Sequence, residues 1–561
     1  MHYRLSDFKI YKMHKFKLIL ALLAILSLTS ETESQTSRQP VWSPDNGDGT
    51  YRNPVIYADY SDPDVTRVGD DYYMVSSSFS HFPGLPILHS KDLVNWKIIG
   101  HAVQNYPVSE FDMPQHGMAI WAPSIRFHDN KFYIYFGDPD RGIFMTRAEK
   151  PEGPWDELKL IRKVTGWIDC CPLWDDDGSA YLVHAFANSR SGIKSILAVN
   201  KMSPDGTVIY DDGILVFNGQ KDHPTMEGPK FYKRNGYYYV FAPAGGVKPG
   251  WQVVLRSKNV FGPYEDKIVL EQGTTKTNGP HQGAWVTTQT GEDWFIHFQD
   301  RYAYGRIVHL QPVKWENDWP VVGIDNDGNG IGEPVAKYKK PYVGNSYPEE
   351  VPQTSDEFDS PEIGLQWQWE SNFKQSWYSL TERPGYMRLY PEILADGTKN
   401  LWSVGRLLLQ KMPAEKFSAV AKIDLSSVTP GTKTGVLVFG QDYSYIGVQK
   451  TREGLVIGQN ICLKAVQGNP EEPVAGSETF TGNVIYLKVE VEPENPENII
   501  PKVLCTFSYS ADGRSFKKLG RVFTAKEGQW VGAKVGLFCT GSGNGIKKGF
   551  ADADWFRIES L

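Results

Sequence analysis

The chain has 561 residues, a net charge of -7, and 40% hydrophobic against 22% charged residues. That length calls for two or more domains. The balance excludes a disordered or collagen-like chain, and the absence of a basic excess argues against a nucleic-acid partner. Aromatic residues make up 13%, including 17 Trp and 29 Tyr, enough to fill a large core or to line a cleft where rings stack on a ligand.

Residues 1–35 read as a secretory signal peptide. Arg4, Lys9, Lys12, Lys15 and Lys17 form a basic start, residues 18–28 are an apolar run, and Thr32 and Ser34 are small residues before Gln35. The run is well short of the roughly 20 residues that span a bilayer. Met13 offers a second start, and no Cys precedes Cys170, so no lipoprotein attachment is expected. The expectation is a secreted or periplasmic protein whose mature chain has no membrane span. Five cysteines, an odd number, show no zinc-type spacing. They read as small buried hydrophobes, with a Cys505–Cys539 bridge left open.

Between residues 40 and 340 one pattern recurs. A Pro is followed nine or ten residues later by aromatics that open an apolar strand: Pro63 to Tyr72-Tyr73, Pro123 to Phe132-Tyr133, Pro172 to Tyr181, and Pro229 to Tyr238-Tyr239. Turn residues precede each set: Gly69-Asp70-Asp71, Asp129-Asn130, Asp177-Gly178 and Asn235-Gly236. A fifth copy, Ala284-Trp285-Val286 to Trp294-Phe295, keeps the hairpin without the Pro. The copies repeat every 48 to 60 residues, and several short strands per such period predict an all-β fold with five propeller blades.

Equivalent positions in a propeller form a ring around the axis. Just before the repeat's Pro stand Asp62, Asp169 and Glu227 in blades one, three and four, Trp121 in blade two, and His281-Gln282 in blade five. One acid there would be a turn residue or strand cap. Three at matching places, beside aromatics, predict carboxylates converging on one spot. Paired carboxylates around a bond are the machinery of glycoside hydrolysis, and a third can tune the acid. Asp59, Asp64, Asp138 and Asp140 read as turn and pocket-rim residues, and the run 175–178 as an exposed hairpin turn.

Several segments resemble glycoside hydrolase family 43: Tyr60-Ser61-Asp62-Pro63-Asp64, Phe82-Pro83-Gly84-Leu85-Pro86, the run from His89 to Trp96, Ile120-Trp121-Ala122-Pro123, Trp167-Ile168-Asp169, and Glu227-Gly228-Pro229 with Tyr232-Lys233 and Gly236-Tyr237-Tyr238. The resemblance implies a five-bladed propeller that hydrolyses with inversion, usually on xylose- or arabinose-containing polysaccharides. It makes Asp62 the general base, Asp169 the residue that tunes and holds the acid, and Glu227 the general acid. It places Phe79 and Trp121 in the pocket wall and gives Arg306, in preference to Arg301, the sugar hydroxyls. The chain departs from the family where Cys170-Cys171 separate Asp169 from its Pro and where Lys230 replaces a frequent His. The family's blade-five His falls on His281, with Gln282 as the alternative register.

After residue 340 the blade pattern stops. Residues 341–355, with Pro341, Pro348 and Pro352, read as a linker. Residues 356–561 read as a β-sandwich, jelly-roll-like, with strands at 418–425, 434–439, 443–449, 484–491, 502–509, 534–539 and 551–558. Residues 509–513 and 552–556 resemble the concanavalin A-like domain that closes family 43 β-xylosidases, which implies a sandwich side chain at the pocket. No cofactor is required and no metal ligand is assigned. A structural calcium ion is considered at Asp325-Asn326-Asp327-Gly328-Asn329-Gly330, whose twelfth position is Ala336, and at Asp552 and Asp554.

These readings together predict a secreted, inverting exo-glycoside hydrolase. It would release terminal α-L-arabinofuranose or β-D-xylose from plant polysaccharides or oligosaccharides. The alternatives are a non-catalytic carbohydrate-binding propeller, which would not keep all three acids, and an endo-acting arabinanase or xylanase, which would need an open groove.

Overall fold

A computed structural model describes residues 39–542 and 549–561; the signal segment read at 1–35 lies outside them. The chain builds five four-stranded antiparallel sheets in sequence order, then two larger sheets. Blade one is Asp64–Val68, Asp71–Val75, Gly84–Ser90 and Trp96–Val103. Blade two is Trp121–His128, Lys131–Asp138, Gly142–Ala148 and Lys159–Lys163. Blade three is Trp167–Trp174, Ala180–Phe186, Ile196–Met202 and Ile214–Asn218. Blade four is Lys230–Arg234, Tyr237–Ala244, Trp251–Ser257 and Glu265–Leu270. Blade five is His281–Thr287, Asp293–Asp300, Arg306–Glu316 and Trp319–Val322.

The repeat seen in the sequence is the first hairpin of each blade. Its aromatics open the second strand every time, and the turn residues adopt the backbone that right-twisted hairpins favour. Asp129 and Asn130 have φ of 46° and 57°, and Asn235 and Gly236 have φ of 51° and 72°. Inner strands are covered on both faces by neighbouring blades, so they read as apolar runs without alternation. Lys131–Asp138 is buried from its second residue to its last, whereas the outermost strand Lys159–Lys163 has no buried residue.

Neighbouring inner strands touch in the order of the chain, and His281–Thr287 of blade five reaches both Tyr237–Ala244 of blade four and Asp64–Val68 of blade one. The ring is tied from outside as well. Thr50–Arg52 pairs antiparallel with Lys337–Lys339. Tyr51 Oη donates to Leu310 O at 2.8 Å, and Asn53 Nδ2 to Leu310 O and Val335 O, both at 2.8 Å. Residues 341–355 run along the outer strand of blade one, where Trp96 N donates to Glu350 O at 3.1 Å.

The second half is a sandwich of two eight-stranded sheets. One is centred on Phe417–Asp424, Val484–Pro493, Val503–Ser510 and Ala551–Glu559, the other on Thr432–Phe439, Tyr443–Lys450, Leu455–Cys462 and Lys534–Gly541. Strands Leu407–Lys411 and Leu455–Cys462 were not anticipated from the sequence. The sandwich core runs into the propeller through Tyr57, Ala303, Tyr304 and Ile307. Main-chain bonds also join the halves, with Phe82 N donating to Trp369 O at 3.1 Å and Trp369 N to Phe82 O at 2.7 Å.

All five cysteines are free and buried. Cys505 and Cys539 sit on different sheets, so the bridge left open in the sequence is not made. Asp325 accepts the backbone N–H groups of Gly328 and Gly330 at 2.8 Å each, capping its own turn. Asp552 pairs with Arg388 at 2.9 Å, and Asp554 pairs with Lys422. Among the described residues no helix is long and apolar enough to cross a membrane.

Candidate active site

At the mouth of each innermost strand one residue takes a left-handed backbone: Asp62 (φ 54°), Ala122 (31°), Asp169 (57°), Gly228 (59°) and Gln282 (39°). In blades two, three and five the strand pairing skips there, between Trp121 and Ser124, Ile168 and Cys171, and His281 and Gly283. A bulge of this kind re-aims a side chain, and the chain makes one in three of its five blades. For the non-glycine residues the conformation costs ~1–3 kcal/mol each, strain of a kind that persists at functional sites. Gly228 has no such option: a Cβ there would stand 2.7 Å from Gln282 Cδ.

The re-aimed side chains line a cavity of ≈ 250 Å³ that holds Asp62, Asp169 and Glu227 together with Phe79, Trp121 and Arg306. Asp62 is buried, and donors face both of its oxygens. Arg306 Nη1 is 3.2 Å from Oδ1, and Ser77 Oγ donates to Oδ2 at 2.5 Å. Ser77 Oγ in turn accepts Ala122 N at 2.7 Å, tying blade one to blade two at the cavity floor. Arg301 turns away to Glu415, at 2.9 Å.

Asp169 is buried and its Oδ2 accepts Gly228 N at 2.8 Å. Burial first, then the nearby charges of Glu227 and Asp62, push its carboxyl up to about 8. Carboxyls this close cannot both be charged cheaply, so the Asp169–Glu227 pair keeps one proton far above the usual carboxylate range. The Glu227 side chain is 30% exposed where Asp62 is 7% exposed, so Glu227 is the carboxyl open to the cavity. Its Oε1 is 3.1 Å from His281 Nε2.

His281 itself is fully buried behind Glu227 and does not line the cavity; Gln282 does. The expectation that His281 binds substrate is therefore corrected: the bulge at Gln282 turns His281 inward onto the acid. Lys230, the residue standing where His is frequent, is buried beside these groups. Its Nζ donates to Pro123 O at 2.7 Å and Ser124 Oγ at 2.8 Å, across from blade four to blade two. Its charge favours the ionised form of Asp169.

Aromatic rings form the walls. Phe79 and Trp121 meet edge to face at 6.3 Å, and Trp121 meets Trp530 in the same way at 6.1 Å. Trp530 is the sandwich side chain that closes the cavity. Its loop is fixed at one point by Gly532 N, which donates to Asp59 Oδ2 at 2.9 Å. A Cβ at position 532 would sit 2.6 Å from Gly305 N, so the loop lies backbone to backbone on the propeller.

Three of the supposed rim residues are buried fasteners. Asp64 accepts Ile125 N at 2.7 Å and Arg126 Nη1 at 2.6 Å, joining blades one and two. Asp138 accepts Tyr106 Oη at 2.8 Å, and burial raises it to about 6. Asp59 accepts Arg306 N at 2.8 Å besides Gly532 N. Turn-like sequence surroundings concealed these long-range partners.

A propeller that brings three carboxylates and an edge-to-face aromatic wall to one cavity is the frame of a glycoside hydrolase. Residues 51–320 match the model for glycosyl hydrolases family 43, and residues 355–559 match the β-xylosidase C-terminal concanavalin A-like domain. A Xylanibacter ruminicola protein is 40% identical over 88% of this chain and 87% of its own. A Formosa agariphila protein named beta-xylosidase is 34% identical over 95% of this chain and 94% of its own. The crystal structure of a family 43 protein from Bacillus licheniformis superposes with a TM-score of 0.77 at 27% identity, covering 91% of this chain and all of the other. The chain belongs to glycosyl hydrolases family 43, and it is a glycoside hydrolase.

Proposed function

We propose that this enzyme is an exo-acting, inverting hydrolase that releases single terminal pentoses from plant polysaccharides or oligosaccharides. The observation that carries the reading is the small cavity around the three carboxylates, with Trp530 of the sandwich in its wall. Its ≈ 250 Å³ falls below the roughly 300–1,000 Å³ of pockets for drug-sized ligands and suits one sugar ring, with Trp530 standing where an endo-enzyme would need a through-going groove. Relatives named for both sugars support a pentose. The Formosa protein is named a beta-xylosidase, and a Bacteroides ovatus protein 29% identical over 91% of this chain and 95% of its own is named a non-reducing end alpha-L-arabinofuranosidase.

In this reading Glu227, held by His281, gives its proton to the leaving oxygen. Asp62, oriented by Ser77 and Arg306, takes a proton from the attacking water on the other face of the ring. Asp169 and Glu227 share one proton, which Glu227 delivers as the bond breaks. Arg306, Phe79, Trp121 and Trp530 hold the sugar. The chemistry needs no cofactor. The basic and apolar start of the chain supports export, which N-terminal sequencing of the exported protein would test.

Digestion of xylo- and arabino-oligosaccharides, followed by chromatography and by NMR of the first-formed anomer, tests the proposal. Free pentose with inverted configuration should be released while the substrate shortens by one residue at a time. Early release of di- or trisaccharides from longer substrates would rule out exo action. A retained anomer would rule out Asp62 as a base, which needs its carboxyl roughly 6.5–9.5 Å from that of Glu227 to admit a water.

A further inference from the structure

Where the blade-one loop meets the sandwich, three side chains outside the catalytic machinery converge. They are His81, His116 from the segment between blades one and two, and Glu370 from the sandwich. The Phe82–Trp369 main-chain pair places His81 and Glu370 side by side, and Trp402 stacks on the His116 ring at 3.8 Å. His81 is 3% and Glu370 1% exposed, and His116 is half-buried.

Each imidazole has one nitrogen committed to a main-chain carbonyl. His81 Nδ1 is 2.9 Å from Ser78 O, and His116 Nε2 is 2.7 Å from Trp402 O. A carbonyl oxygen only accepts, so these nitrogens carry the hydrogens, and in a neutral ring the other nitrogen presents a bare lone pair. Both bare nitrogens face one oxygen: His81 Nε2 is 3.2 Å and His116 Nδ1 3.5 Å from Glu370 Oε2. Three acceptors facing one another in a buried place call for a cation or a proton between them.

We propose that His81 Nε2, His116 Nδ1 and Glu370 Oε2 hold one zinc-class divalent ion that fastens the sandwich to the propeller. Ligands at 2.0–2.1 Å in a tetrahedral site stand about 3.3–3.4 Å apart, which the 3.2 and 3.5 Å separations match. All three ligand atoms lie within 4.8 Å of one another. The outer contacts are those of a metal site: the far nitrogen of each imidazole donates to a carbonyl, and the far oxygen of Glu370 accepts Lys534 Nζ at 2.8 Å. Glu370 thus stands between the ion and Lys534, one oxygen to each, and the fourth position falls to water. Imidazole and carboxylate donors in this geometry select zinc over calcium or magnesium. His81 lies two residues beyond Phe79, so the ion would also stiffen the loop that carries the cavity wall. This assignment is independent of which pentose the enzyme releases.

Tag-free full-length protein, purified with zinc and desalted, should carry about one zinc per chain by mass spectrometry. Cobalt in its place should give the visible absorption of a tetrahedral site. His116→Gln and Glu370→Gln should lose both signals, and a chelator should lower the wild-type Tm by several degrees, restored by zinc. Wild-type protein without stoichiometric metal at micromolar zinc, or a cobalt spectrum that survives in His116→Gln, would overturn the proposal. Should a variant not fold, the wild-type stoichiometry and cobalt spectrum still decide.

Discussion

Asp62 and Glu227 line the same cavity, yet their surroundings differ. Asp62 has a guanidinium on one oxygen and a hydroxyl on the other. Glu227 has an imidazole on one oxygen and a buried carboxyl, Asp169, beside it. The first wall supplies donors to a negative charge; the second makes a second negative charge costly. In the proposed reading one functional group, the carboxyl, serves two tasks, and its neighbours decide which.

Breaking the comparison at its strongest point gives the largest effect. Asp62→Asn should lower kcat by ~10³-fold or more for every substrate, because no group activates the water whatever the leaving group. Glu227→Gln should cost ~10²–10⁴-fold on natural glycosides and much less on aryl glycosides with acidic phenols, which leave without a proton. Steady-state kinetics on both substrate types separates the walls; equal losses for Glu227→Gln would remove it from the acid role.

Asp169→Asn sharpens the comparison. The variant leaves one carboxyl where two shared a proton, so the repulsion that holds the proton on the pair is gone and it should be lost at lower pH. The alkaline limb of the pH–rate profile should shift to lower pH, with the loss concentrated on substrates that need protonation. An alkaline limb that stays in place would make Asp169 a structural turn residue. The smallest effect falls outside both walls. Trp530→Ala should raise KM by up to about tenfold, since an aromatic contact contributes ~0.5–1.5 kcal/mol beyond its burial, with kcat nearly unchanged. An unaltered KM would mean that Trp530 only caps the cavity.

The blades were legible because each hairpin writes its own turn and aromatics into contiguous sequence. The acids were legible because the fold repeats them at one place per blade. Leu455–Cys462 escaped because Gln459 and Asn460 interrupt its alternation. The buried Gln459 is satisfied from afar, donating to Ser444 Oγ at 3.1 Å and Arg521 O at 2.9 Å. Trp530 had no local signature, since its place at the cavity depends on how Gly532 meets Asp59 and Gly305 from the other domain. Asp64 and Asp138 looked like turn residues because Arg126 and Tyr106, their partners, are remote in sequence.

The strand pair that closes the propeller sets a timetable for its birth. Thr50–Arg52 is complete early in synthesis, but its partner Lys337–Lys339 arrives much later; Asp48 and Lys337, which pair beside it at 3.1 Å, are 289 positions apart. At ~5–20 residues per second, that gap is on the order of tens of seconds. Loop-closure entropy grows only slowly with length, so the wait is kinetic and adds little to the equilibrium cost. Until the latch arrives, the first blade has no fifth neighbour, and Thr50–Arg52 has no strand to pair with.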